Sequence, residues 1–446
     1  MRFLIIGGDA AGMSAASRAK RKKPDLEVIV LEKTRDVSYS ACGMPYNIAD
    51  PERDMDELVV RRAEVFIEKN KINLLTGHRA DRIDTGSKTV SGDTLDGKPF
   101  SFSYDFLLIA TGAAPVMPDL PGFDLPGVMP LKSLEHGRAI KNFIAENRVK
   151  KAVILGMGYI GLEMCEALRE RAIEVDMVKP RKTFLPWLVP ALSEVVYNEV
   201  VQNNVRLYAG SSVKKIISTD RGLRLECDNI TLETDMVIAA SGVRPCSKIA
   251  SEAGLETGVS NAIAVDFQLQ TSDKTIYAAG DCADAVHVVT GKKCWIPLAL
   301  RANRAGWAVA DNVCGTETRL DGVAGTSVFR VFSLEVARTG LNMKEAEENG
   351  FDPVENTIKT RSRAHAHPGA TTIYVSMVGD RTTGRLLGVQ MVGQEGVAHR
   401  INAPAVALHS KMTVQDFAQC DLAYAPPFSP VWDPMLTAAN QLVKKI

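Results

Sequence analysis

The first apolar run of the chain, Phe3-Leu4-Ile5-Ile6, stops at a Gly-rich stretch, Gly7-Gly8-Asp9-Ala10-Ala11-Gly12. An Ala-rich segment follows to about Lys22, then a second apolar run, Val28-Ile29-Val30-Leu31, ends at Glu32. The pattern predicts strand, tight turn, helix and strand: a βαβ unit with an acid at the end of its second strand. It returns at Ala152-Val153-Ile154-Leu155, followed by Gly156-Met157-Gly158-Tyr159-Ile160-Gly161, a helix from near Leu162, and Val175-Asp176-Met177-Val178. The segment after each unit is duplicated too. Short alternating strands over 79–104 close on Phe106-Leu107-Leu108-Ile109-Ala110-Thr111-Gly112, and those over 211–235 close on Met236-Val237-Ile238-Ala239-Ala240-Ser241-Gly242. Between the copies, Pro115, Pro118, Pro121, Pro126 and Pro130 read as an interdomain connection. Beyond residue 323, strand-like runs at 326–332, 371–378 and 386–392 surround a helix near 343–349, which predicts a separate α+β domain.

A Gly-rich turn between strand and helix lets the backbone approach a pyrophosphate seated on the helix N-terminus. In the first unit Asp9 stands where the second glycine belongs, while Glu32, twenty residues past Gly12, is placed to accept from a ribose diol. The second unit has all three glycines. Eighteen residues past Gly161 it carries Lys179, then Pro180 and Arg181. A cation pair there accommodates a 2′-phosphate and so predicts acceptance of NADPH; a solvated basic turn with NADH accepted is the alternative.

Composition narrows the partners. The 446 residues include 53 Lys plus Arg and 53 Asp plus Glu, so the formal net charge is zero and there is no basic excess for nucleic acid or an anionic membrane. Apolar residues make up 46%, enough for large cores. No apolar run reaches the length of a bilayer span. Eight scattered cysteines read as reduced thiols, and no signal peptide precedes the first strand, so a cytoplasmic protein is expected. The seven histidines form no cluster with ligand-like cysteine spacing, and no metal site is expected.

Thr275-Ile276-Tyr277-Ala278-Ala279-Gly280-Asp281-Cys282-Ala283 resembles the second flavin-binding motif of the pyridine nucleotide-disulfide oxidoreductases, and Thr111-Gly112 and Ser241-Gly242 match that family's paired turns. The resemblance runs through essentially the whole chain in order. It implies an α/β protein with two Rossmann-like nucleotide-binding domains, each with a β-meander insertion, plus a C-terminal α+β dimerisation domain. The implied FAD-binding domain is 1–114 with 246–322, the NAD(P)H-binding domain 115–245, and the interface domain of a homodimer 323–446. The cofactor-binding residues so implied are Gly7, Gly8, Ala11, Gly12, Glu32, Lys33, Ala80, Thr111, Gly112 and Asp281, with Gly156, Gly158, Tyr159, Ile160, Gly161, Glu163, Lys179, Arg181 and Gly242. Glu163 matches a family residue near the flavin–nicotinamide junction, and a helix-start carboxylate with a capping role is an equally good reading.

Within the same resemblance, Ser38-Tyr39-Ser40-Ala41-Cys42-Gly43-Met44-Pro45-Tyr46 is similar to the single-cysteine branch: coenzyme A disulfide reductases, NADH oxidases, peroxidases and persulfide reductases. Dithiol members carry a second cysteine where this chain has Asn47, so Cys42 is the implied redox centre and its sulfur or oxygen partner comes from outside. A turn leading into a helix N-terminus is expected to lower the thiol pKa. Cys165 and Cys282 read as packing residues. Members that reduce peroxide or oxygen place a histidine where this chain has Ala10, which points to a disulfide or a per- or polysulfide as acceptor.

Coenzyme A as the substrate moiety implies cations for its phosphates. Arg18 and Lys22, four apart on the first helix, and Arg62 are the candidates, together with Ser38; ordinary surface charge is the alternative. The segment Asp421-Leu422-Ala423-Tyr424-Ala425-Pro426-Pro427-Phe428-Ser429 resembles one that delivers a tyrosine across the dimer interface, making Tyr424 a proton donor to the departing thiolate. Ala366-His367 stand where coenzyme A disulfide reductases have two tyrosines, and His367 is either a substitute donor or a satisfied loop residue. The implied reaction is NAD(P)H-dependent, FAD-mediated reduction of a mixed disulfide on Cys42. An NAD(P)H oxidase using oxygen and a redox-sensing flavoprotein module are the alternatives.

Overall fold

The computed structural model describes all of residues 1–446. Its two nucleotide-binding units share one plan. In the first, strands Ile276–Ala278, Phe106–Ile109, Arg2–Ile6, Glu27–Glu32 and Asn73–Thr76 lie side by side in that order, all parallel. In the second the corresponding order is Val128–Pro130, Met236–Ala239, Lys151–Leu155, Glu174–Lys179 and Arg206–Ala209. The central strands are buried on both faces, as their unbroken apolar runs require. Each unit carries a three-stranded antiparallel meander, at 78–103 and 213–234.

The fifth strand of each sheet shows how the chain is threaded. In the first unit it comes from residues 276–278, after the chain has left and returned. In the second it is Val128–Pro130, laid down before the glycine turn. The proline-bearing stretch is therefore only partly a connection, because its last residues form a sheet edge where no N–H from Pro130 is needed. Chain departure and return run side by side, with Ala113–Pro115 antiparallel to Val243–Pro245.

The glycine spacing has a steric cause. Gly7 and Gly156 have φ of +110° and +112°, and in each copy a Cβ there would lie 2.2 Å from a backbone oxygen, of Ala110 and Ala240 respectively. The helix Ala10–Lys22 starts directly after the first turn and packs on Ala299–Val313 through small residues, among them Ala11, Ala15, Ala302 and Ala305.

The C-terminal unit is a five-stranded antiparallel sheet, ordered Ser327–Val331, Leu334–Gly340, Leu386–Gly393, Thr372–Asp380 and Pro353–Arg361. Strands Leu334–Gly340 and Pro353–Arg361 do not stand out by apolar patterning, since polar residues alternate through both. Helices such as Pro434–Val443 cover one face of this sheet. The other face shares an apolar cluster with the second nucleotide-binding unit and with Met44 and Ile48 of the short helix Met44–Ala49. No helix is long and apolar enough to cross a membrane.

The close approach of the helices Ala10–Lys22 and Ala299–Val313 gives a stability test. A Cβ on Gly306 would lie 2.2 Å from the carbonyl oxygen of Ala11. Gly306→Ala is expected to push the two helices apart and to destabilise the protein by about 1–3 kcal/mol in denaturant titration.

Candidate active site

The first glycine turn lies at the C-terminal ends of parallel strands, where open α/β sheets bind ligands. Glu32 ends its strand nearly buried, and its carboxylate accepts from the Gly8 N–H at 2.7 Å and from the Thr34 N–H and hydroxyl at 2.8 Å each. Thr111 donates from its hydroxyl to the Cys246 carbonyl at 2.6 Å, and the Cys246 N–H donates to Gly112 at 2.9 Å, tying the returning chain to the same strand ends. Asp281 completes this edge. Its carboxylate meets Lys132 at 3.2 Å, its carbonyl accepts from the Trp295 indole at 2.8 Å, and its loop is braced by the buried Arg301, which donates to the Gly280 and Ala283 carbonyls at 3.0 and 3.1 Å. Gly112, with φ +70°, would set a Cβ in open space. Ala11 is buried, Lys33 is exposed, and Ala80 borders a bulge of the meander. This cradle fits a dinucleotide: backbone N–H groups at a helix start, a carboxylate beside them, and no side chain over the turn at Gly112. Gly7, Gly8, Ala11, Gly12, Glu32, Thr111, Gly112 and Asp281 would hold FAD there.

The second turn fits a dinucleotide in the same way. A Cβ on Gly158 or on Gly242 would meet nothing within 4 Å. Tyr159 turns away to the C-terminal sheet, its hydroxyl 3.1 Å from that of Ser327 and its ring against Phe329 and Trp187, while Ile160 is half-buried and Gly161 buried. The expected cation pair is split. Lys179 is buried, its ammonium donating to the Thr183 carbonyl at 2.7 Å, and burial pushes its pKa down. Of the expected pair, Arg181 is the one left exposed, next to the exposed Lys182.

Cys42 lies in a single 3-10 turn, Ala41–Gly43, that runs into the helix Met44–Ala49. The approach to it is pinned to the first glycine turn by the Ser38 N–H, which donates to the Gly8 carbonyl at 3.1 Å; Ser38 itself is held at φ +49°. Asn47 cannot be a second redox group. It is fully buried, donating to the Asp54 carbonyl at 2.8 Å and accepting from Lys141 at 3.1 Å. The thiol corrects one expectation. Residue 42 keeps exposed surface, but its surroundings desolvate the sulfur and push its pKa up; Glu163 adds to this, Lys132 opposes it, and Asp281 and Asp9 add more. The helix after it has six residues, too short a dipole to outweigh three carboxylates.

The substrate candidates lie on several separate elements. Arg18 grips the buried Asp311 in a fork at 2.8 and 2.7 Å, and Lys22 meets the same carboxylate at 2.6 Å, so part of their charge is compensated within the chain. Arg18 also lies over the ring of Trp307, 5.3 Å from its centroid. Arg62 is exposed just before the helix Ala63–Glu68. Tyr424 is 49% exposed in a segment shared with the exposed Phe428, Val431 and Trp432, and no hydrogen bond links it to the Cys42 region of its own chain. The His367 Nδ1 lies 3.0 Å from the Pro368 carbonyl, the arrangement of a satisfied loop histidine. Sequence reasoning missed Lys132, Tyr46 and Arg301, whose roles come from partners distant in the chain.

Two dinucleotide cradles on either side of one thiol define a flavoprotein oxidoreductase that takes electrons from a nicotinamide cofactor. The comparisons agree. A family model described as pyridine nucleotide-disulphide oxidoreductase matches residues 1–306, and the model of that family's dimerisation domain matches residues 326–435. The chain belongs to the pyridine nucleotide-disulphide oxidoreductase family. It is 38% identical over 439 residues to the NAD(P)H sulfur oxidoreductase (CoA-dependent) of Pyrococcus abyssi, covering 98% of this chain and 97% of that one. It is 33% identical over 447 residues to an NADH oxidase of Methanocaldococcus jannaschii, covering 100% and 99%. Among solved structures, an NAD-dependent persulfide reductase from A. fulgidus superposes with a TM-score of 0.96 at 36% identity, over 100% of this chain and 83% of that one.

Asp9 supplies a test of the first cradle. Its Oδ1 is buried without a hydrogen-bond partner, and burial raises its pKa from 3.8 to about 6, against the Tyr39 N–H and Lys132, which lower it. The folded chain thus holds this proton more tightly than the unfolded chain. Stability falls as pH rises from about 4 to about 6 and stays lower above. Asp9→Asn is expected to stabilise the flavin-free protein by up to about 3 kcal/mol at pH 7 and hardly at all at pH 4, measured by chemical denaturation at both.

Proposed function

We propose that this chain is an FAD-dependent NAD(P)H oxidoreductase that reduces coenzyme A disulfide, or a related low-molecular-weight disulfide, persulfide or polysulfide, through Cys42. The observation that carries this reading is the solitary thiol beside the first dinucleotide turn, with a fully buried, hydrogen-bonded Asn47 where a second cysteine would stand. A redox centre with one sulfur needs its second sulfur from the substrate. The names of the Pyrococcus abyssi and A. fulgidus relatives point the same way.

In this reading residues 1–114 and 246–322 hold FAD, 115–245 hold NAD(P)H, and 323–446 join two chains into a homodimer. FAD, when bound, supplies the route by which two electrons pass from the nicotinamide to sulfur. Every other part of the cycle falls to side chains. Cys42 carries the thiol of the substrate as a mixed disulfide; cleavage leaves the Cys42 thiolate, which attacks the next disulfide and restores the mixed form. Arg18, Lys22 and Arg62, with Ser38, bind the coenzyme A moiety, and Asp311 fixes the first two in place. Tyr424 of the partner subunit hands a proton on to the departing thiolate. Arg181 meets a 2′-phosphate when NADPH is the donor. Lys179 holds the turn through Thr183 instead.

Oxygen as acceptor is the second reading, favoured by the NADH oxidase name of the Methanocaldococcus jannaschii relative. Against it, Ala10 offers no acid–base group above the thiol.

Cys42→Ser is expected to abolish disulfide reduction while absorbance changes still show flavin reduction by NAD(P)H; surviving turnover rejects the proposal. Arg181→Gln is expected to lower kcat/KM for NADPH about tenfold, the equivalent of about 1.4 kcal/mol, and to leave NADH nearly unchanged in steady-state assays.

A further inference from the structure

A carboxyl group faces the turn that carries the redox thiol, held there by a side chain of the helix that continues the turn. Cys42 and Tyr46 are four residues apart, on the 3-10 turn Ala41–Gly43 and the helix that continues it. The Tyr46 hydroxyl donates to Glu163 at 3.3 Å, across the packed pair of helices Met44–Ala49 and Tyr159–Glu170. The other side of Tyr46 is held as well: the Arg330 guanidinium stands over its ring, 5.6 Å from the centroid. Arg330 also pairs with Glu166, and Glu166 accepts from the Phe332 N–H at 2.8 Å. Glu163 thus sits beside the redox turn with no cation of its own, since Arg330 is engaged one helical turn further on.

From this geometry we propose that Glu163 is the proton store of the redox centre: it is protonated when Cys42 is a thiolate and releases its proton when Cys42 is again bound in a mixed disulfide. This rests on the reading of Cys42 as the redox thiol.

The stoichiometry calls for such a group. One NAD(P)H and one mixed disulfide give NAD(P)+, one free thiol and the Cys42 thiolate: two electrons break the S–S bond, and the proton of the hydride goes to the thiol that leaves. The thiolate then attacks a second disulfide, forming a new S–S bond to Cys42 and expelling a second thiolate. That product needs one more proton, which NAD(P)H does not supply. A carboxyl that takes a proton from water as the thiolate forms, and gives it up as the thiolate is consumed, keeps the charge of the site constant through the cycle.

The surroundings suit the role. Burial, then repulsion from Glu166, raises Glu163 from 4.5 to about 7 against the Tyr46 hydrogen bond, so both of its forms are accessible near neutral pH. The groups facing the pair are Lys132, Asp281 and Asp9 around Cys42, Tyr46 and Glu166 around Glu163, and Arg330 behind them. Among these charges Glu163 is the largest contributor acting on the thiol.

The test reads the thiol itself. Holoenzyme is treated with dithiothreitol, desalted without oxygen and alkylated with iodoacetamide between pH 5 and 10, and modification of the Cys42 peptide is followed by mass spectrometry. The wild-type rate profile is expected to show two steps, one near pH 7 from Glu163 and one from the thiol. Glu163→Gln is expected to lose the step near 7 and to alkylate about three- to tenfold faster at pH 7, a downward thiol shift of roughly half to one unit. Tyr46→Phe keeps the carboxyl but removes the hydrogen bond that lowers it, so the near-neutral step is expected to move to higher pH. A single-step wild-type profile, a near-neutral step that survives in Glu163→Gln, or one that stays in place in Tyr46→Phe overturns the proposal. Each of these results leaves the separate Cys42→Ser turnover test untouched.

Discussion

A backbone oxygen lies where the Cβ of any residue other than glycine would sit, at Gly7 and again at Gly156. Two strands and a helix converge at that point in each nucleotide-binding unit, and the turn between them can close only if the backbone passes under the carbonyl that ends the neighbouring strand. The consequence extends beyond the turn. The helix N-terminus is brought to the sheet edge, Glu32 is placed to accept from Gly8, and the Gly8 carbonyl is left to receive the Ser38 N–H. The Cys42 loop is thus attached to the first glycine turn by a backbone contact.

That attachment accounts for the placement of a thiol with little else to support it. Cys42 sits on a single turn, and its short helix is stabilised from outside by apolar contacts shared with the second nucleotide-binding unit and the C-terminal sheet. Lys141 reinforces the next loop, donating to Asn47 and to the carbonyl of Asp50 at 2.8 Å, while Arg138 joins Asp36 to Asp56. The three parts of the chain meet at the helix Met44–Ala49, and the charges facing the Cys42 sulfur come from the first glycine turn (Asp9), the loop after Ile276–Ala278 (Asp281), Lys132 and the second unit (Glu163).

Those charges explain why the electrostatics of the centre were not readable residue by residue. A helix start after Cys42 suggests a lowered thiol pKa, and the helix is there. Burial and three carboxylates distant in the chain reverse the sign. Lys179 obeys the same logic. A lysine at the end of the second strand of a dinucleotide unit is placed to meet a phosphate, but Thr183, four residues on, turns the backbone so that its carbonyl takes the ammonium. Arg18 and Lys22 were legible as a pair on one helix face, but not the carboxylate between them, which belongs to Asp311 on another helix.

The sequence by itself determined the two nucleotide-binding units, their meanders and the family, and it marked the motif around Cys42, because each depends on local periodicity, on glycines that permit one backbone path, or on a short contiguous motif. It also marked the C-terminal α+β unit, though not all of its strands, since a sheet covered on both faces by different partners does not advertise itself through simple alternation in Leu334–Gly340 or Pro353–Arg361. The tertiary structure decided that the fifth strand of the second sheet comes from the proline-bearing stretch, that Tyr46 meets Glu163 beside the Cys42 turn, and that burial and nearby carboxylates push the thiol pKa up. These are matters of pairing and desolvation between residues far apart in the chain, and such quantities exist only once the chain has closed around them.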